Sequence, residues 1–474
     1  MFSVETTTYH ILLHWGLYVA TMSFDLFPDP HYHVSCGRRR SISSSFLVPA
    51  MHPGFPGYLG NGYAPQGPER SPRYRRRRGA GSRRGSFQIS YDNISSYSSS
   101  SQVRQSPTEW ASSTKWEELD DAYFQSYSQI GIHEEMIKDH VRTETYRNAI
   151  MRHQNLISGK VVMDVGCGTG ILSIFCALAG ARRVYAIEAS DIAVQASEVV
   201  KANNLSDKVI VIHERVEKVS IQEKVDVIIS EWMGYMLLYE SMLSSVIFAR
   251  DNWLKQGGLI LPSHATLYMA PITHSERYSD SIDFWRDVYG IDMSVMLPLA
   301  KQCAFEEPSI ETISAENVLT WPFVVKFVDC YTVTARELES ITTKYNLTSM
   351  LRAPLHGFAF WFDAEFNGPS TFPSNNNLLS GSSTSDLYSN VYNNQRRQKA
   401  KSDQVLMLST APEDEPTHWQ QTILYLYEPI EVIQDQTIEG SITLSQSREN
   451  PRFLNIHLEY SSGGRSFIKE SIMR

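Results

Sequence analysis

Two glutamates stand out for the company they keep. In Ser230-Glu231-Trp232-Met233-Gly234-Tyr235-Met236-Leu237-Leu238-Tyr239-Glu240-Ser241-Met242, Glu231 and Glu240 sit among side chains that are nearly all apolar or aromatic. Ionised carboxylates in such a wall are costly unless a proton or a cation compensates them. Two chemistries meet that demand: a proton shared between the acids, or a planar guanidinium held by forked hydrogen bonds. Taken singly, Glu240 also fits an ordinary exposed position on a helix. A second group lies upstream, where Asp164-Val165-Gly166-Cys167-Gly168-Thr169-Gly170 has G-x-G-x-G spacing. That spacing implies close approach of backbone to a ligand. It departs from the dinucleotide pattern G-x-G-x-x-G because position 171 is Ile. Glu188 follows Gly168 by 20 residues, the distance at which a carboxylate meets ribose hydroxyls. A ribose-bearing cofactor is the reading, with NAD the runner-up.

These residues need a scaffold, and the hydrophobic pattern supplies one. Lys160 to Asp164 is a short apolar run that leads into the glycine turn, and Ile171 to Ala179 reads as a helix. Arg183 to Glu188, Lys208 to His213, Val225 to Ser230 and Gly258 to Leu261 read as strands, Ile192 to Asn203 as a helix, and Met236 to Lys255 as a long helical stretch. Strands alternating with helices argue a parallel, doubly wound α/β sheet, and Glu231 falls at a strand end, where such sheets open their ligand crevice. After Leu261-Pro262 the texture changes. Ala265 to Ala270, Phe323 to Val328, Gly357 to Phe366, Gln404 to Leu408 and Thr437 to Leu444 alternate between turn residues, the signature of an antiparallel sandwich or barrel. Ser275 to Ser294 interrupts this with a helical pattern carrying Phe284, Trp285, Val288 and Tyr289 on one face. Asn367 to Ser402 is Asn/Ser-rich and reads as a long disordered loop.

The 474 residues suggest two or three domains, and 42% hydrophobic content excludes a wholly disordered chain. Five scattered cysteines (Cys36, Cys167, Cys176, Cys303, Cys330) show no C-x-x-C spacing. A cysteine-based zinc site is unsupported and a reducing compartment fits best. No other metal site is expected. The net charge of −9 is unevenly spread: residues 1–107 hold twelve Arg against five acids, or +7, which leaves −16 on the remainder. An acidic body draws cationic ligands and makes nucleic acid an unlikely substrate for that body. The Arg/Ser/Gly-rich tail 1–107 is expected to be disordered. Within it, Thr6 to Phe24 has no charged residue but is read as a weakly apolar tail rather than a membrane span, so no membrane partner is expected. Met51 is a plausible alternative start.

With strand, glycine turn, helix and Glu188 in place, the chain resembles the S-adenosylmethionine-dependent methyltransferases of the doubly wound class. The resemblance implies that Asp164, Gly166, Gly168 and Gly170 pass close to the cofactor, that Glu188 binds its ribose and that Glu217 lies near its adenine. The Glu231–Glu240 stretch narrows this, because over its whole length it resembles the double-glutamate loop of the protein arginine methyltransferases. Tyr123-Phe124-x-x-Tyr127, Gly131-Ile132-His133-Glu134-Glu135-Met136 and Arg142 resemble that family's cofactor-covering helix, and Thr417-His418-Trp419 its Thr-His-Trp loop. His356-Gly357-Phe358-Ala359 and Ser447-Arg448-Glu449-Asn450-Pro451 agree as well.

The resemblance covers roughly Trp110 to Arg474. It implies a Rossmann-like cofactor domain over 108–262, followed by a β-barrel domain over 263–474. The barrel would carry a dimerisation arm at 272–303 and the disordered insertion at 367–402. Arg142 would pair with the cofactor carboxylate and His133 would help hold the cofactor. Tyr127, Met136, Met242 and Trp419 would border the substrate pocket, and Glu231, Glu240 and His418 would be catalytic. The methionine pair resembles the type I members, which make monomethyl and then asymmetric dimethyl arginine. Expected partners are arginine-containing proteins (histones and Arg-Gly-rich tails) and a second copy of the chain, with the nucleus, and also the cytoplasm, as location.

Three other readings stay open beside this one. A small-molecule methyltransferase would not need two facing carboxylates. A non-catalytic scaffold would not need to keep the glycine loop and acids intact. The basic tail could make weak contact with nucleic acid through Arg and Tyr. Arg78 and Arg84, each before a glycine, are expected sites of self-methylation.

Overall fold

The computed structural model describes residues 120–368 and 405–474. The tail 1–107, the start at Met51, Arg78 and Arg84, and nearly all of the 367–402 stretch lie outside the described residues.

The chain enters through three helices: α1 over residues 120–127, α2 (Ile130–Lys138) and α3 (His140–Arg152). Asp139 separates the last two in an extended conformation, and its carboxylate caps α3 by accepting the Arg142 N–H. The short α4 (Gln154–Ile157) follows. Next come β1 (Val161–Val165), α5 (Ile171–Leu178), β2 (Arg183–Glu188), α6 (Ile192–Ala202), β3 (Val209–His213), β4 (Val225–Ile229), α7 (Leu243–Trp253) and β5 (Leu254–Leu261). Their strands form one parallel sheet in the order β3-β2-β1-β4-β5. All five residues of β1 are buried, as a central strand covered on both faces requires. The order reverses direction beside β1, so the crevice opens between the carboxyl ends of β1 and β4.

Beyond the cis Leu261-Pro262 bond the chain becomes antiparallel. β6 (His264–Ile272) leads into the arm with α8 (Ser275–Ser281) and α9 (Leu297–Phe305), then β7 (Ser309–Glu311), β8 (Phe323–Asp329), α10 (Ala335–Glu339), β9 (Ser340–Thr348), β10 (Ala353–Glu365), β11 (Met407–Ser409), β12 (Gln421–Val432), β13 (Thr437–Gln446), β14 (Leu454–Ser462) and β15 (Arg465–Met473). The strands form a six-stranded sheet around β10 and a four-stranded sheet in the order β15-β14-β13-β9. Leu355, Phe358, Phe360, Leu424, Ile442 and Leu458 lie in the core that joins both sheets to the parallel one.

Two elements differ from the sequence reading. Helix α7 begins only at Leu243, because Met236, Leu237 and Glu240 all take positive φ and turn the preceding residues into a loop. The apolar run there signals burial in a wall rather than helical periodicity. The expected helix from Ser275 to Ser294 stops at Ser281 and is followed by a 3-10 turn over Asp283–Arg286. Tyr289 and Gly290, both at positive φ, then reverse the chain. No described helix is long and apolar enough to cross a membrane.

Candidate active site

The glycine turn closes β1 with three left-handed residues, Gly166 at φ 72°, Gly168 at 54° and Gly170 at 85°, where a side chain would be strained. The close approach is also real: a Cβ on Gly166 would lie 2.4 Å from the Met242 methyl, and one on Gly168 would lie 3.1 Å from His133 Nδ1. Met242 and His133 therefore roof the loop. His133 is held there by a 2.7 Å hydrogen bond between its Nε2 and the Tyr127 carbonyl. Helix α5 starts directly after the loop with no cap from Gly170; the Ser173 N–H is engaged by Asp164, and the two N–H groups before it are the ones a ligand could take.

Glu188 reaches the loop as its spacing suggested. Its Oε2 accepts the Gly168 N–H at 2.8 Å, and its Oε1 accepts the backbone and hydroxyl of Ser190 at 2.9 and 2.8 Å. A carboxylate has about four acceptor positions, so capacity remains at Oε2 for a hydroxyl donor. Asp164, fully buried at the end of β1, accepts from Ser173 through Oδ2 at 2.6 Å, while its Oδ1 has no partner. Burial pushes this carboxyl up to about 7, against the Ser173 hydrogen bond, with the Glu188 charge adding to the rise. Glu217 is exposed and accepts from Ser245 at 2.7 Å. These groups fit a cofactor with a sugar and an amino-acid end: acceptors for hydroxyls, a buried orphan oxygen, and the first N–H groups of a helix.

The two glutamates come from one closed loop. The Met242 N–H donates to the Trp232 carbonyl at 3.0 Å, which brings the exit of the loop back to its entry. Inside, Gly234 lets the chain double back so tightly that a Cβ there would lie 1.6 Å from the Tyr239 carbonyl oxygen. Glu231, buried at the loop entry, receives both Nε and Nη2 of Arg142 on one oxygen, Oε2, at 3.0 and 2.9 Å. Its other oxygen, Oε1, is buried without a partner. Arg142 thus points at Glu231, a contact the sequence reading did not foresee, and its Nη1 is anchored on the Met136 carbonyl at 3.1 Å. The Met136 sulfur lies 4.0 Å from Nη2.

Glu240 is half-buried. Burial pushes its carboxyl up, opposed by the Arg452 charge and by a hydrogen bond from the Tyr239 hydroxyl. Both acids act on Tyr127, whose hydroxyl is held well above its usual range first by Tyr123 and by burial. Both carboxylates therefore lie within electrostatic reach of the same phenol.

His418 lies in the third wall. Its Nδ1 and its backbone N–H meet Asp139 Oδ2 at 2.7 and 2.9 Å, so one carboxylate both caps α3 and fixes the imidazole. Burial would push Asp139 up, but the His418 ring and the backbone N–H groups of Arg142 and His418 outweigh it and hold the carboxyl low. Trp419 is buried beside His418 and donates to the Met233 carbonyl at 3.2 Å, tying this loop to the double-glutamate loop. An open cleft of about 610 Å³ borders His418 and is lined by Glu134, Glu135 and Glu415.

Asp139, Ser173, Ser190 and Arg452 were missed from sequence. Only Asp139 left a signal, as an N-cap residue three positions before Arg142. Among the described residues no cluster could hold a metal ion.

Residues 263–380 and 395–465 match the arginine methyltransferase oligomerization subdomain, and residues 144–262 match the model of ribosomal protein L11 methyltransferase. A probable protein arginine N-methyltransferase 6 of Arabidopsis thaliana is 71% identical over 361 residues, covering 75% of this chain and 82% of the relative. Protein arginine N-methyltransferase 6 of Danio rerio is 44% identical over 345 residues, covering 72% and 89%. Among solved structures, the Trypanosoma brucei PRMT1 enzyme-prozyme complex with AdoHcy superposes with a TM-score of 0.62 at 34% identity, covering 74% of this chain and all of that one.

Proposed function

Because this chain belongs to the protein arginine N-methyltransferase family, we propose that it is a type I enzyme in which Glu231 and Glu240 clamp the substrate guanidinium. It methylates arginine in proteins, resembles the sixth member of its family, and takes S-adenosylmethionine as the methyl donor. That cofactor supplies an electrophilic methyl group. Asp164, Glu188, His133 and the loop Gly166-Cys167-Gly168 would hold it, with Arg142 and Glu217 on its flanks.

One observation carries the clamp: Glu231 presents a buried, unpartnered Oε1 in the same closed loop as a second carboxylate, Glu240, whose proton affinity burial raises. A guanidinium, always protonated at neutral pH, is the side chain that satisfies both with forked hydrogen bonds. Held by two acids, its positive charge is drawn toward the nitrogens they touch, which frees the remaining nitrogen to act as nucleophile. Positioning and electrostatics of this kind lower barriers by several kcal/mol. As positive charge builds on the guanidinium, both acids stabilise it. Glu240, whose proton affinity burial has raised, and His418, oriented by Asp139, are the two candidates for taking the departing proton.

Met136 beside Arg142 and Met242 over Gly166 support the type I assignment by crowding the pocket. The acidic cleft supports histone or Arg-Gly-rich tails as substrates. The arm supports a homodimer, since Tyr289 is 99% and Val295 84% exposed, apolar surface that a second copy would cover. We place the enzyme in the nucleus, where arginine-rich tails are abundant, and also in the cytoplasm. Glu231→Gln tests the clamp: Gln keeps an acceptor for Arg142 but removes the charge, so methyl transfer should vanish while cofactor binding by calorimetry persists. Near-wild-type turnover would overturn the role.

A further inference from the structure

Arg452 follows β13 in the barrel domain, yet its side chain works on the other domain. Its Nε and Nη2 donate to Asp120 Oδ1 of α1 at 3.1 and 2.8 Å. Its guanidinium lies 3.4 Å above the Tyr123 ring and 5.2 Å from Phe124, both on the same helix. The second Asp120 oxygen is bound by Arg215, which follows β3 and sits 5.7 Å from the Phe124 ring. Helix α1 is thus gripped by one arginine from each domain. Arg452 also reaches further, because its carbonyl accepts the Glu240 N–H at 3.0 Å, and Glu240 stands at a strained positive φ of 54°.

We propose that Arg452 is a positioning residue that ties the covering helix α1 to the Glu240 end of the double-glutamate loop, so that the cofactor cover and the substrate clamp form together. The planar fork suits Asp120 and the Tyr123 face in a way an ammonium cannot. Its charge also opposes the burial of Glu240. The groups in electrostatic contact with Glu240 are Tyr235 and Tyr239 of its own loop, Tyr123 and Tyr127 of α1, and Arg452, while Glu231, already paired with Arg142, acts on the same Tyr127. The four phenols are all held up and stay neutral near pH 7, so Arg452 is the charged member of the set. The proposal rests on Glu240 being half of the clamp.

The test is a kinetic comparison of Arg452→Met, Arg452→Lys, Asp120→Asn and Glu240→Gln across pH in the full-length protein. Arg452→Met should raise the KM for cofactor about tenfold and move the acidic limb of kcat/KM for an Arg-Gly peptide upward by about one pH unit, as loss of a neighbouring opposite charge does. Arg452→Lys should restore the limb but not the cofactor KM. Asp120→Asn, which touches neither ligand, should raise the cofactor KM and lower kcat. A wild-type limb and cofactor KM in Arg452→Met would overturn the coupling, provided Glu240→Gln is inactive. If Arg452→Met fails to fold, a wild-type cofactor KM in both Arg452→Lys and Asp120→Asn would overturn it equally. Wild-type turnover in Glu240→Gln would remove the clamp and the coupling with it.

Discussion

At the scale of single residues, the site is a set of carboxylates made affordable by different means. Glu188 is satisfied by Gly168 and Ser190, and Asp139 by His418 and two backbone donors. Glu231 has Arg142, and Asp164 is left with a hydroxyl on one oxygen and nothing on the other. The last case predicts a pH effect. Asp164 holds its proton up to about 7 when folded, whereas an unfolded chain releases it near pH ~4. Between those values the folded state binds the extra proton, so stability falls as pH rises. Asp164→Asn removes this dependence: urea unfolding of the cofactor-free protein should show the variant gaining on wild type from pH 5 to pH 8. A constant difference over that range would contradict the burial argument. Much of this chemistry was legible in the sequence because it is local. The 20-residue step from Gly168 to Glu188 became a direct hydrogen bond. Contacts set only by tertiary folding left no local pattern: His418 to Asp139, Arg452 to Asp120, and Arg142 to Glu231.

At the scale of elements, the double-glutamate loop is the part that departs most from regular structure. Its apolar run read as the start of a helix, but three positive-φ residues and the Gly234 contact convert it into a strained loop. Sequence patterning sees hydrophobicity and cannot distinguish a buried loop from a buried helix. Strands β1, β2 and β4 were readable to within a residue because parallel strands inside the sheet appear as largely apolar runs, and the edge strand β3, though partly exposed, keeps its run of Val and Ile. Gly234 gives the element-scale prediction. A methyl group placed 1.6 Å from the Tyr239 carbonyl must push the loop open, so Gly234→Ala should cost about 2 kcal/mol or more of stability. It should also reduce peptide turnover at least a hundredfold, with a much smaller loss in cofactor affinity by calorimetry. Equal losses in both would show that the loop does not act independently of the cofactor site.

At the scale of the whole molecule, an acidic body, a crevice at the end of a parallel sheet, and an arm with an apolar face belong to one design. The body attracts cationic tails, and at physiological ionic strength such attraction acts over about 8 Å and weakens with salt. The arm keeps Phe284, Tyr289, Ile291, Val295 and Leu299 exposed, the apolar surface that the proposed homodimer would cover. Replacing Tyr289, Val295 and Leu299 together by serine should give a monomer in analytical ultracentrifugation with little or no activity. A fully active monomer would separate the arm from function. The account as a whole is tested most directly by incubating the protein with labelled S-adenosylmethionine and an Arg-Gly peptide, beside the same peptide with every arginine replaced by lysine, and identifying the products by mass spectrometry. It predicts monomethyl arginine followed by asymmetric dimethyl arginine, and no label on the lysine peptide. Symmetric dimethyl arginine as the sole dimethylated product, or label on lysine, would contradict it.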